Sequence, residues 1–137
     1  MNTSFREIQI NTTKRRELID VTQELLMAVQ ESGIKNGICV VYSLHSTSAI
    51  IINEPERGLM EDLLTKVEED FPRGRDWLHN RIDDNADSHL AGAFMGPSMV
   101  IPVRNGSLCL GTWQSVFFLE LDGPRIGRRV VIEVLGE

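Results

Sequence analysis

A chain of 137 residues with 42% apolar and 25% charged side chains fits one folded domain spanning residues 1–137. Such a chain buries about two thirds of its unfolded surface and needs no disulfide or metal staple. A net charge of −6 with no long basic stripe excludes a generic nucleic-acid binder, and ordinary hydrophobicity excludes a disordered chain.

Phe5 to Thr12 alternates imperfectly and reads as a strand. Thr12 to Glu17 is polar and makes a turn or a short second strand. Asp20 is placed as a helix N-cap, with Gln23 three residues on, as in a capping box. Val21, Leu25, Leu26 and Val29 then follow at helical spacing, and Gly33 is placed to end a helix over 21–32. The β-branched runs Ile38 to Ser43 and Ala49 to Ile52 read as buried strands around a polar insertion, Leu44 to Ser48. Pro55 and Glu56 open a second helix, whose apolar face is Leu59, Met60, Leu63, Leu64 and Val67. Arg73 to Asp87 is a long polar loop or a broken helix, and Ser88 to Phe94 a short third helix. Met99 to Val103 and Ser107 to Leu110 form strands around an Asn105-Gly106 hairpin turn. Gln114 to Leu121 and Val130 to Val134 complete the sheet. Short turns between strands favour antiparallel pairing. The expected fold class is α+β, with two to three helices.

Cys39 and Cys109 lie in apolar runs outside any paired-cysteine motif. They read as buried free thiols of a reducing compartment. Met1 to Asn11 lacks the apolar core of a signal peptide, and no apolar run approaches the roughly 20 residues that span a bilayer. A cytoplasmic location with no membrane partner is expected.

Three histidines stand out, His45, His79 and His89, each in a polar segment. Converging imidazoles suit the open three-ligand arrangement of a catalytic zinc site; surface or capping histidines are the plainer reading. Ser46, Thr47 and Ser48 offer hydroxyls to a phosphate, or an ordinary turn satisfying its own backbone. Asn53 and Glu54 follow the next strand, where a carboxylate suits a base, a partner to a ligand imidazole, or a charge near a helix N-terminus. Asp83, Asp84, Asn85 and Asp87 form an acidic loop whose oxygens suit magnesium carried by a diphosphate. Thr112, Trp113 and Gln114 offer a flat ring and an amide to a heteroaromatic ligand, or a bulge holding a core tryptophan. Arg125 is a candidate phosphate clamp.

Taken together, these blocks resemble the YjbQ family. His45-Ser46-Thr47-Ser48-Ala49 with Asn53-Glu54 is similar to its first signature, and Asp84-Asn85-Ala86-Asp87-Ser88-His89-Leu90 to its second. Gly96 and Ile101-Pro102-Val103 match the next strand. Asn105 to Gln114 resembles the most distinctive block, and Glu120-x-Asp122-Gly123-Pro124-Arg125 the last. Ile126-Gly127 before Arg128-Arg129 departs from the pattern.

The resemblance implies an antiparallel β-sandwich or barrel-like core, assembly as a homotrimer, and a weak secondary thiamine-phosphate synthase-like activity. That reaction joins hydroxymethylpyrimidine diphosphate to thiazole phosphate. The resemblance also implies a divalent metal, zinc or magnesium, near His45, His79 and His89. Its catalytic candidates are His45, Glu54, Asp84 and His89. Its phosphorylated small-molecule substrate would meet Ser46, Thr47, Ser48, Asn53, Asn85, Thr112, Trp113, Gln114 and Arg125. A metal-dependent hydrolase of a small phosphorylated or cyclic metabolite, and a non-enzymatic metabolite- or metal-binding protein, are the competing expectations.

Overall fold

The computed structural model describes residues 1–137. In chain order the elements are β1 (Asn2–Ile10), β2 (Glu17–Asp20), α1 (Thr22–Ser32), β3 (Gly37–Ser43), β4 (Ser48–Asn53), α2 (Arg57–Asp70), a 3-10 turn (Leu78–Arg81), α3 (Ala86–Met95), β5 (Ser98–Arg104), β6 (Ser107–Leu108), β7 (Ser115–Glu120) and β8 (Arg128–Gly136). This is an α+β fold. Strands β1-β8-β3-β5-β6 form one antiparallel sheet and β2-β7-β4 a second. No helix is long and apolar enough to cross a membrane.

Packing follows from alternation along the strands. Cys39, Val41, Ile101, Val130, Ile132 and Val134 of the larger sheet meet Ile50, Val116 and Phe118 of the smaller one, with Leu25, Ala28 and Val29 of α1 closing the main core. The opposite face of the smaller sheet presents Ala49 and Leu119 to Val67 of α2 and Ala91 of α3. Strand β7 is therefore buried on both faces, which is why Val116 to Leu119 reads as an unbroken apolar run.

Local signals explain most element ends. Glu56 caps α2 by accepting from the backbone N–H of Gly58 and Leu59. Asn105 and Gly106 both take positive φ, as a type I′ turn needs. Asp20 is not the α1 N-cap. It ends β2 and accepts from the N–H of Thr22, while Val21 occupies the cap. Helix α3 begins at Ala86, two residues before the expected start. Cys39 is buried, and burial pushes its thiol up to about 11. Cys109 is exposed, contrary to expectation, because β6 stops at Leu108 and the alternation turns Cys109 outward. Trp113 is 70% exposed, so it is no core residue.

Candidate active site

Two segments bring the histidines together. The turn between β3 and β4 carries His45, and α3 with the 3-10 turn before it carries His89 and His79. Gly92 lets helix and turn approach. A Cβ there would sit 2.7 Å from the Ser46 carbonyl oxygen and 3.0 Å from that of Ser48. Both are backbone atoms that cannot swing aside. Gly92→Ala is expected to cost about 1–3 kcal/mol and to move the helix off the turn. Chemical denaturation checks the first effect, and shifts of the His45 and His89 ring resonances check the second.

His79 and His89 pack edge to face, with ring centroids 4.7 Å apart. His89 is shared by two recesses. One, of about 450 Å³, is mainly apolar and lined by Trp77, Leu78, His79, Ala86, His89 and Leu90. The other, of about 320 Å³, is lined by His45, Ser46, Ser48, His89, Gly92, Ala93 and Pro97. The three histidines thus border one composite site.

His45 is held by the backbone N–H of Arg129, which donates to its Nε2 at 2.8 Å. Burial lowers its pKa from the ordinary value, and the nearby Arg128 charge lowers it further. His79 Nε2 lies 3.2 Å from Asn85 Oδ1, and Asn85 Nδ2 donates to Asp122 at 2.8 Å. Asp122 in turn pairs with Arg125 at 3.0 Å.

Two buried ion networks frame the site. Glu120, 0% exposed, accepts from Arg128 Nε at 2.9 Å and from the Thr12 hydroxyl at 2.8 Å. Arg128 also donates to the Thr47 hydroxyl at 3.0 Å, tying down the His45 turn. On the other side Asp87, also 0% exposed, accepts two bonds from Arg15, at 3.0 and 3.1 Å, and pairs with Arg16. Ser88 donates to the Leu121 carbonyl at 2.5 Å. These bonds seat the first turn of α3 and hence His89.

The other expected site residues divide. Ser46 is exposed at the rim. Ser48 is buried and bonds with Ser43 at 2.6 Å, and Thr47 is occupied by Arg128, so both are structural. Asp84 is exposed and paired with Arg73 at 3.1 Å. Asn53 and Glu54 lie at the far end of β4, about 16 Å along the strand from Ser48. The pairing Ser48↔Glu120 and Asn53↔Ser115 puts Thr112, Trp113 and Gln114 beside that far end too. Within one chain these five residues line neither recess. Gln114 instead accepts from the Gly111 N–H at 2.8 Å.

A metal fits this arrangement poorly. No three His, Cys, Asp or Glu side chains are grouped for one, and the usual metal-binding nitrogen of His45 is occupied by a backbone donor. Asp122, Arg129 and Gly92 are the site residues that sequence reasoning passed over. Asp122 had a cue in its place in the last family block, and Arg129 one in the basic cluster it forms with Arg125 and Arg128.

The family profile described as UPF0047 protein YjbQ-like matches residues 6–137. The chain belongs to the YjbQ/UPF0047 family. A UPF0047 protein of Methanothermobacter thermautotrophicus is 48% identical over 137 residues, covering 100% of this chain and 95% of that one. UPF0047 protein YugU of Bacillus subtilis is 38% identical, covering 96% of this chain and 99% of its own. Among solved structures, a YbjQ-like protein of unknown function from Sulfolobus solfataricus superposes with a TM-score of 0.98 at 51% identity, covering 99% of both chains. A hypothetical protein from Aeropyrum pernix gives 0.93 at 42% identity, covering 100% of both. The YjbQ-like fold therefore holds across the whole length.

Proposed function

We propose that this chain is a secondary thiamine-phosphate synthase-like enzyme that joins hydroxymethylpyrimidine diphosphate to thiazole phosphate as a weak side activity. The observation that carries this reading is the shared position of His89, between an apolar recess for a flat ring and a second recess where His45 and Ser46 offer polar groups to a phosphate. In the reaction the thiazole nitrogen bonds to the pyrimidine methylene. The carbon–oxygen bond to diphosphate breaks, and diphosphate leaves with the electron pair. Trp77, Leu78 and Leu90 would seat a ring. The Ser46 hydroxyl and the free ring nitrogen of His45 would face the departing oxygens, where donors lower the barrier. A divalent cation, zinc or magnesium, enters this reading only as the counter-ion of the diphosphate.

The test is formation of thiamine phosphate from the two precursors with magnesium present. His89→Ala is expected to lower the rate about a hundredfold or more. A wild-type protein that makes none overturns the reading. The exposed rim residues Ser46 and Ala93 admit water, which favours a second reading, hydrolysis of a small phosphorylated metabolite. Phosphate released from one precursor alone would identify it. Assembly as a homotrimer is part of the proposal. It is supported by the exposed apolar side chains Phe5, Ile38, Tyr42 and Val100 on the outer face of the larger sheet.

A further inference from the structure

The partners of His45 and His79 decide which ring nitrogen of each carries the proton. A backbone N–H only donates. That of Arg129 meets His45 Nε2 at 2.8 Å, so Nε2 must offer its lone pair. The same residue's carbonyl accepts from the Leu44 N–H at 3.1 Å, so the turn cannot easily slide away from this donor. The proton of the neutral His45 ring therefore sits on Nδ1. Free histidine prefers Nε2–H, so here the fold imposes the less common form.

At His79 the logic passes through an amide. Asp122 is flanked by Arg125 at 3.0 Å and Arg15 at 3.9 Å, and as a carboxylate it only accepts. Its partner in Asn85 at 2.8 Å must then be the NH₂ group. That orients the Asn85 carbonyl oxygen toward His79 Nε2, 3.2 Å away. An amide oxygen also only accepts, so His79 donates from Nε2, and the neutral form of the ring is the Nε2–H tautomer with its lone pair on Nδ1. Asn85 is only 7% exposed, which keeps water from replacing either bond.

We propose that the fold holds His45 and His79 in opposite tautomers on either side of His89. His45 is a donor through Nδ1–H and His79 an acceptor through bare Nδ1, with Asn85 and Asp122 as positioning residues that act through His79. A ligand in this site must then offer an acceptor to His45 and an N–H or O–H to His79. A phosphate attached to an amino- or hydroxyl-bearing ring meets both demands. This ligand class rests on the functional reading above; the tautomers do not.

The experiment is a long-range ¹H–¹⁵N correlation spectrum of the ¹⁵N-histidine-labelled protein at neutral pH, without ligand. The bare nitrogen of each ring resonates far downfield of the protonated one. The expected spectrum shows His45 as Nδ1–H and His79 as Nε2–H. His45 as Nε2–H, or as the mixture seen in free histidine, overturns the proposal. Asp122→Leu removes the acceptor that holds the Asn85 NH₂ in place, an oxygen that Asn85 and Arg125 share. Asn85 is then free to turn, and the His79 proton is expected to become shared between Nε2 and Nδ1. Asn85→Ala removes the acceptor and is expected to leave His79 as a mixture. An unchanged His79 signal in both folded variants overturns the positioning role. Opposite tautomers in a protein that converts neither precursor would uphold this inference while removing the transferase reading.

Discussion

Arg128→Met is expected to destabilise the protein by about 3–5 kcal/mol, because it leaves the Glu120 carboxylate buried without its cation. For a chain of this size that is a fall of roughly 10–20 °C in melting temperature. Burial alone would raise the Glu120 carboxyl, but hydrogen bonds from Arg128 and Thr12 hold it below its ordinary 4.5 in the native protein. The native protein thus draws stability from this group above about pH 4.5, and loses it as pH falls through the depressed folded value. In the variant the unpaired carboxyl is raised instead, so its penalty disappears in acid. The gap between the two proteins should close as pH drops below about 4.5. Urea titrations at neutral and acid pH check this. The double variant Glu120→Gln with Arg128→Met should recover much of the loss, since no lone charge remains buried. A single variant as stable as wild type at neutral pH would show that the network is not holding the His45 turn.

Asp87→Ala should have an effect of similar size, about 3–5 kcal/mol, on the opposite side of the site. Arg15 and Arg16 would lose their shared anion, and Arg16 is itself largely buried, with an Nε that already lacks a hydrogen-bond partner and only the half-exposed Glu68 left to pair with. Burial by itself raises the Asp87 carboxyl, yet the bonds and charges of Arg15 and Arg16 hold it below its ordinary 3.8. Its contribution is present above about pH 3.8 and vanishes as pH falls through the lower folded value. Asp87→Asn keeps the shape and one acceptor and should lose less than Asp87→Ala. Two residues along α3 stands His89, so loosening this turn should also disturb the packing of His79 on His89. Equilibrium unfolding gives the energy, and the histidine ring resonances give the displacement. An Asp87→Ala protein of native stability would rule out the double-arginine anchor.

The two networks show why the site was only partly legible in the sequence. The chemistry-bearing residues could be found, because His45, His79 and His89 are rare side chains in polar segments. Their meeting was an expectation only, since no short spacing links them. The bonds that fix them are long-range: Arg129 to His45 spans 84 residues and Asn85 to Asp122 spans 37. The motif blocks also suggested a unity that a single chain lacks. Asn53 and Glu54 stand close to Ser48 in sequence, but an extended strand converts five residues into a separation of about 16 Å. Trp113 shares that far end and turns outward.

By itself the sequence determined what depends on neighbours a few residues apart. The β-branched runs of β3 and β4, the apolar face of α2 and the Asn105-Gly106 turn each carry their own geometry. The family blocks added the expectation of a sandwich or barrel-like core. Tertiary structure alone decided the rest. It placed Glu120 and Arg128 together inside the core, brought α3 against the His45 turn through Gly92, and chose a hydrogen-bond partner for each histidine. The physical reason is that a buried charge or an imidazole nitrogen takes its state from whatever lies within about 3 Å. In a folded chain that neighbour is set by packing, not by order along the backbone.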